Sequence, residues 1–413
     1  MILVPNRPQL LSGNNFVLIL CMLIFLSACS KKITAPKPVD IPSPSELEKQ
    51  KEIVPLKTDH SIALLLPFDL NTINLKTATS KNIEKASIAI DFYQGFKLAL
   101  DSLTARGHNF NLSVFDTQNQ ETRVVNLALA NSVRSKDLIV GPIYPDAIKT
   151  FGEFAELGDK KLQISPLAAS IPTDFNNPSL VTVNNTIDQH ARKIAEFISS
   201  NYQAELVNIV LINTQKSDDA KFSNHFKRNL TNISGDKFQI TERATVIALE
   251  KYLVPTKNNL VIVTSSDRLF VMPAIDKLYN LVTKQKFKIE VFGHPNWLKT
   301  NYLSQEKMQT LNSRISASFH VNYKSQTVKN FISRYRDEYG FEPSEYSFKG
   351  FDIGYYFGGL LEKYGNDYAK HLKDSVYRGL HTSFKFSKDP KTGYMNTELM
   401  MLRYRNFELQ PEK

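Results

Sequence analysis

The sequence predicts an α/β protein built from two Rossmann-like lobes, and three observations carry that reading. Residues 137–170 hold a strand-helix-strand unit. The apolar run Leu138-Ile139-Val140 stops at Gly141-Pro142; Ala147, Phe151, Phe154 and Ala155 then recur at helical spacing; Leu162-Gln163-Ile164 leads into Ser165-Pro166-Leu167-Ala168-Ala169-Ser170. A short apolar run bounded by Gly and Pro reads as a strand buried on both faces of a parallel sheet. The alternation of strand and helix starts afresh after residue 186 without repeating any sequence. The chain's 413 residues exceed what one core organises, so two domains are expected.

In order, the chain opens with Arg7 and an apolar run over 16–26, too short to remain as a bilayer-spanning anchor. Leu26-Ser27-Ala28-Cys29 follows and resembles the bacterial lipobox, which needs small residues before a thiol that is acylated and becomes the first mature residue. That resemblance makes 1–28 a signal peptide and Cys29 the lipidation site, with several acyl chains giving stable membrane anchoring. Ser30, rather than an acidic residue, follows Cys29, which implies the outer membrane of a bacterial envelope and a periplasm-facing domain. The other of the 2 cysteines, Cys21, falls in the discarded segment, which leaves no disulfide, thiol nucleophile or cysteine metal site in the exported domain. Residues 29–59 are rich in Lys, Ser and Glu, carry Pro36, Pro38, Pro42, Pro44 and Pro55, and show no apolar period; they read as a flexible tether.

The first strand lies in 61–68, with Pro67 at its exit, and 69–87 reads as a polar, Lys-bearing loop. Ile88, Phe92, Phe96, Ala99 and Leu103 form one helical stripe stopped by Gly107. A second strand, 112–115, exits into Asp116-Thr117, and Val125, Leu129 and Val133 mark the next helix. Past Ser170 comes a strand in 179–183; Thr186 and Gln189 then fit a capping box ahead of Ala191, Ile194, Ala195 and Ile198. The second rhythm runs through a strand at 207–212, a helix with Phe222, Phe226 and Leu230, and a strand at 260–264 that exits into Ser265-Ser266-Asp267. Leu269, Met272, Ile275, Leu278 and Val282 give its helix, and 289–292 a strand ending at Gly293.

Two stretches carry a family resemblance. A strand ending in Gly141-Pro142, a helix, and a strand ending in Ser165-Pro166-Leu167-Ala168-Ala169-Ser170 resemble the first lobe of type I periplasmic binding proteins, the leucine/isoleucine/valine-binding relatives. Phe331, Tyr335, Tyr339, Gly340, Pro343, Tyr346, Gly350 and Asp352 stand where those relatives show F-x-x-x-Y-x-x-x-Y-G-x-x-P, then Tyr and Gly-Tyr-Asp. The resemblance runs from residue 61 to the end and implies two lobes joined by a multi-strand hinge: 60–188 plus 320–380 as lobe one, and 189–319 plus 381–413 as lobe two. Gly141-Pro142-Ile143-Tyr144-Pro145, without a Ser after the Gly-Pro, and the longer loop after Pro67, without the relatives' glycines, also resemble the binding-protein-like domain of outer-membrane penicillin-binding-protein activators, which keep this fold on a lipoprotein and contact a peptidoglycan synthase.

Other function classes find no support. The formal net charge is +10, but the Lys residues are dispersed with no basic run between stacking aromatics, which argues against nucleic acid. No P-loop, G-x-G-x-x-G after a strand or H-E-x-x-H occurs, and the 8 His have no metal-ligand spacing, so neither a cofactor, a metal nor an enzyme activity is expected. Gly354-Tyr355-Tyr356-Phe357-Gly358-Gly359 reads as helix packing.

In open α/β sheets ligands bind beyond the strands' carboxyl ends. By the resemblance, Ala168 and Ser170 would meet a ligand carboxylate and Asp267 of lobe two an ammonium, with Tyr144 and Asp116 at neighbouring strand exits. Asp116 and Asp267 also suit helix caps. The chain departs from the relatives at Gly141-Pro142-Ile143-Tyr144-Pro145, which has no Ser after the Gly-Pro. Two readings stay open: a solute receptor closing on an amino acid or related compound, with a membrane permease as partner, and an envelope interaction protein whose partner is a peptidoglycan synthase.

Overall fold

A computed structural model of the chain describes residues 59–412 apart from 75, 159 and 160. The expected signal peptide, Cys29 and all but the last residue assigned to the tether lie outside them; that residue, Asp59, opens the first strand.

Two seven-stranded sheets form the two lobes. In the first, β1 (Asp59–Leu66), β2 (Asn109–Asp116), β3 (Leu138–Val140), β4 (Gln163–Ser165) and β5 (Leu180–Thr182) run parallel in the order 2-1-3-4-5. In the second, β6 (Val207–Ile212), β7 (Ile240–Arg243), β8 (Asn258–Val263), β9 (Ile289–Gly293) and β10 (Arg314–Ala317) repeat it as 7-6-8-9-10. This is the doubly wound order, which leaves the carboxyl ends of the strands as a crevice on each lobe.

Helices cover both faces. In lobe one they are α1 (Ser80–Lys85), α2 (Ser87–Thr104), α3 (Glu121–Leu129), α4 (Asn131–Arg134) and α5 (Pro145–Ala155). In lobe two they are α6 (Ile187–Asn201), α7 (Ser217–Ser234), α8 (Arg268–Thr283) and α9 (Gln305–Thr310). The later helices α10 (Gln326–Tyr339) and α11 (Glu345–Tyr364) return to lobe one, where Val328, Phe331, Tyr335 and Phe348 enclose Leu98 of α2. Glycines let α2 and α11 meet along their backbones: a Cβ on Gly350 would stand 2.1 Å from the Phe92 carbonyl oxygen, and one on Gly95 1.8 Å from that of Ser347.

The last strands correct the expected lobe assignment. After the two-stranded pair β11 (Tyr377–Arg378) and β12 (Ser383–Phe384), the hairpin β13 (Phe386–Asp389) and β14 (Gly393–Asn396) joins the first sheet beside β5. Only β15 (Met400–Arg405) and β16 (Glu408–Glu412) extend the second sheet, from β10. Residues 381–413 therefore divide between the lobes. Phe384, Phe386 and Tyr394 bury in the core holding Tyr356 and Phe357, whereas Met401 and Tyr404 bury in lobe two.

Some helical faces also differ from expectation. The stretch 69–87 contains α1 and a short 3-10 turn, Leu70–Thr72. Helix α3 buries Val124, Leu127 and Ala128 and leaves Leu129 exposed; α5 buries Ile148 and exposes Phe154; α8 buries Val271, Ala274 and Leu281 and exposes Leu269. In each helix the apolar residues exceed one face, so the 3.6-residue period fits two adjacent stripes, and the lie of the helix on its sheet selects one. The Thr186–Gln189 capping box is present at the start of α6, with Ala191, Ile194, Ala195 and Ile198 buried.

Three crossings join the lobes, between β5 and α6, β10 and α10, and β14 and β15. Asn396 ties two of them. Its Nδ2 donates to the carbonyls of Val183 and Ser383, both at 3.0 Å, and its own carbonyl accepts from Asn185 Nδ2 at 3.0 Å and Gln189 Nε2 at 2.7 Å.

The candidate ligand cleft between the lobes

Two cavities lie where the strand ends of both lobes face each other. The larger, about 380 Å³, is lined by Ala169 and Ile171 of lobe one, by Asp218, Ser266, His294 and Asn296 of lobe two, and by Asn185 and His190 at the crossing. The smaller, about 150 Å³, adds Asn184, Lys299, Ser318, Phe319, Glu345 and Lys349. Both include Ala169, Asn185, His190, Pro295 and Asn296, so they are two ends of one cleft.

Polar groups held by the fold define its chemistry. Lys349, in the first turns of α11, is buried; its ammonium donates to Asn184 Oδ1 at 2.6 Å, and burial lowers its pKa to about 8. Asn185, also buried, donates through Nδ2 to Asn396, while its Oδ1 has no partner among the described residues. A buried acceptor without a donor costs free energy on the order of 1–3 kcal/mol, and a ligand N–H or O–H would recover it. His190 sits between Ser316 Oγ at 2.9 Å and Ser318 Oγ at 3.1 Å, and burial lowers its pKa to about 3. His294 accepts from the Asn296 N–H through Nδ1 at 3.1 Å, and burial lowers its pKa to about 4. Across the cleft, Lys299 of lobe two reaches Glu345 of lobe one at 2.9 Å.

The residues singled out in the sequence lie around this cleft in different roles. Ala168 is buried against Ile148, Phe175 and Leu180, so its neighbour Ala169 is the one that lines both cavities; Ser170, half-buried, follows it. Asp267 caps α8 by accepting from the Leu269 N–H at 3.0 Å and accepts an ion pair from Lys216 at 2.5 Å; the adjacent Ser266 lines the larger cavity. Asp116 caps no helix. Its carboxylate accepts from the N–H groups of Phe68, Asp69, Leu70 and Gln118 and so fixes the turn after β1. Tyr144 precedes α5, is 40% exposed, and has its pKa raised by burial and by the nearby Asp69 and Tyr346. Neither Asp116 nor Tyr144 lines either cavity.

Asn184, Asn185, His190 and Lys349 escaped the sequence reading. One local signal existed for Lys349: it shares the stripe of α11 that carries Asp352, Ile353 and Tyr356, where a lysine is out of place unless the fold has a partner for it. Among the described residues, no group of three or more His, Cys, Asp or Glu is placed to hold a metal.

No family model matches the chain, and no curated protein does. Solved structures do. The chain is similar to an ABC transporter substrate-binding protein from Desulfitobacterium hafniense in complex with Leu, at 13% identity and TM-score 0.54, over 86% of this chain and 100% of that one. A branched-chain amino acid ABC transporter periplasmic ligand-binding protein from Burkholderia xenovorans LB400 gives 13% identity and TM-score 0.56, over 86% and 94%. Full-length LpoA from Haemophilus influenzae gives 14% identity and TM-score 0.56, over 86% of this chain but 59% of that longer one. Identities this low establish likeness of architecture, and the two seven-stranded lobes with their three crossings accordingly have the type I periplasmic binding protein fold.

Proposed function

We propose that the protein is a non-enzymatic binding protein of the bacterial cell envelope, anchored by lipid at Cys29, whose lobes close on a small polar ligand. The observation that supports this most is the cleft chemistry: a buried ammonium, Lys349, and an unpartnered buried acceptor, Asn185 Oδ1, at a cavity of about 380 Å³ and its smaller neighbour. That volume falls in the range of small-molecule sites, roughly 300–1,000 Å³. An acceptor-rich group such as a carboxylate suits Lys349 and Asn184; a donor suits Asn185. An amino acid or related compound offers both, and Asp267, already held by Lys216, is not needed to receive its ammonium. Delivery to an ABC permease is the corresponding role.

Thermal-shift screening of the purified protein against amino acids, short peptides and cell-wall fragments tests this reading. One class should raise the melting temperature, with the rise lost in Asn185→Ala. If it is lost instead in Ser170→Ala or Asp267→Asn, the ligand sits as the sequence resemblance implied. Fatty-acid-analogue labelling that is equal in wild type and Cys29→Ala would remove the anchor.

The Lys299–Glu345 pair favours a second reading, because it joins the lobes through protein contacts alone. A cleft bridged in this way suits an interaction protein that regulates a peptidoglycan synthase, in the manner of the penicillin-binding-protein activators. A screen with no stabilising class, together with capture of a purified synthase, would favour it.

A further inference from the structure

Lobe one carries another pocket, of about 420 Å³, that shares no lining residue with the cleft. It lies where the end of α2, α10, α11 and β11 meet. Its floor is aromatic: the Phe331 ring, 5% exposed at the residue level, lies 4.9 Å from that of Phe351, which stacks on Tyr355 at 5.7 Å and 14°. Arg106, Arg334 and Arg378 line it, and no Asp or Glu does.

Two of these guanidiniums are held by neutral groups. Arg334 Nη1 donates to Ser102 Oγ at 2.7 Å, while Arg106 donates to the Tyr355 hydroxyl and lies 5.2 Å over that ring. The third, Arg378, has its carboxylate contact with Glu398 at 3.9 Å, beyond hydrogen-bond distance. A guanidinium has five N–H donors in a fixed fork that matches a carboxylate, so each retains donors to offer. The far wall is firmly built. Asp352, buried behind it, accepts from the N–H groups of Leu380 at 2.7 Å, His381 at 2.9 Å and Thr382 at 2.7 Å.

We propose that this pocket is a second ligand site, for a small aryl carboxylate whose ring lies on the Phe331–Phe351–Tyr355 floor and whose carboxylate meets the guanidiniums. The volume fits one ring and its acid group. The aromatic floor suits an apolar body, and the guanidiniums, two on neutral partners and Arg378 only at 3.9 Å from Glu398, suit an anion.

Calorimetric titration of the full chain with phenylacetate, phenylacetamide and acetate at low salt tests the site. Phenylacetate should bind at least tenfold tighter than either control, because the amide lacks the charge and acetate lacks the ring. Combined Arg334→Gln and Arg378→Gln, both at exposed positions, should weaken phenylacetate at least tenfold without moving the melting temperature, and the cleft variant Asn296→Ala should leave it unchanged. Equal binding of either control, undiminished binding by the arginine variant, loss in the cleft variant, or no saturable binding at millimolar phenylacetate would each overturn the assignment.

Discussion

The two lobes share one strand order but are held together by different chemistry. In lobe one the seam between α2 and α11 is backbone against backbone, made possible by glycine and surrounded by aromatic rings. In lobe two the end of the sheet where β9, β10, β15 and β16 lie side by side is closed by charge. Arg314, 6% exposed in its side chain, lies between Glu290 and Glu412; Arg403 also reaches Glu412, at 3.2 Å, and the Tyr202 hydroxyl donates to Glu290 at 2.8 Å. One topology thus tolerates two solutions. The first is intolerant of added volume, the second of a missing partner.

The largest effect should come from adding a single methyl to the lobe-one seam. Gly350→Ala forces α2 and α11 apart against a carbonyl and should cost about 3 kcal/mol or more by thermal melting. Gly359→Ala in the same helix meets nothing within 4 Å and should instead gain up to about 1 kcal/mol from helix propensity. Equal melting of the two variants would break the contrast.

In lobe two, Arg314→Met removes the guanidinium shared by part-buried Glu290 and Glu412, leaving Glu412 to Arg403 and Arg405, and should cost about 3 kcal/mol in denaturant unfolding. Replacing Glu290 and Glu412 by Gln in the same chain should recover much of the loss. If the triple variant is no more stable than Arg314→Met alone, charge is not what closes this edge.

The cleft should add a pH dependence of its own. His190 and His294 have folded pKa values lowered from 6.5 to about 3 and about 4. A depressed pKa means that the unfolded chain binds the proton more readily. The stability is therefore full above about pH 6.5 and is lost as pH falls toward those folded values, by at most about 1.4 kcal/mol per pH unit for each proton. A series of melts from pH 7 to pH 4 should show this fall, and His190→Asn should lessen it. A wild-type melting temperature constant over that range would exclude the cleft histidines as the cause.

The smallest effect concerns a cap. Thr186→Ala removes the side-chain acceptor for the Gln189 N–H at the first crossing and should cost about 1 kcal/mol, whichever lobe chemistry dominates. A loss several times larger would show that the crossing, rather than either lobe, limits stability.

Much of the architecture is legible in the chain because its signals are local. The apolar runs of β3 and β8, the stripes of α2 and α6, the capping box at Thr186 and the turn glycine at Gly340, with φ 81°, each rest on a few consecutive residues, and such patterns survive in any context. The doubly wound order follows from them, since short parallel crossovers leave few alternatives.

The cleft was legible only in outline. Strand-exit loops were the right place to look, yet a sequence assigns a carboxylate no partner: Asp116 spends its oxygens on four backbone N–H groups and Asp267 on a cap and Lys216. The groups that line the cavity meet across long separations. Lys349 and Asn184 are 165 residues apart, and Asn185 and Asn396 are 211 apart. The sheet that β13 and β14 join is likewise decided by where Phe386 and Tyr394 find an apolar surface, not by their own alternation. The sequence by itself determined the elements and their winding, because backbone preference and apolar period act over a few residues. The tertiary structure alone decided the lobe of the last hairpin, the buried face of several helices and the polar lining of the cleft, because burial and hydrogen-bond partnership exist only once distant segments have met.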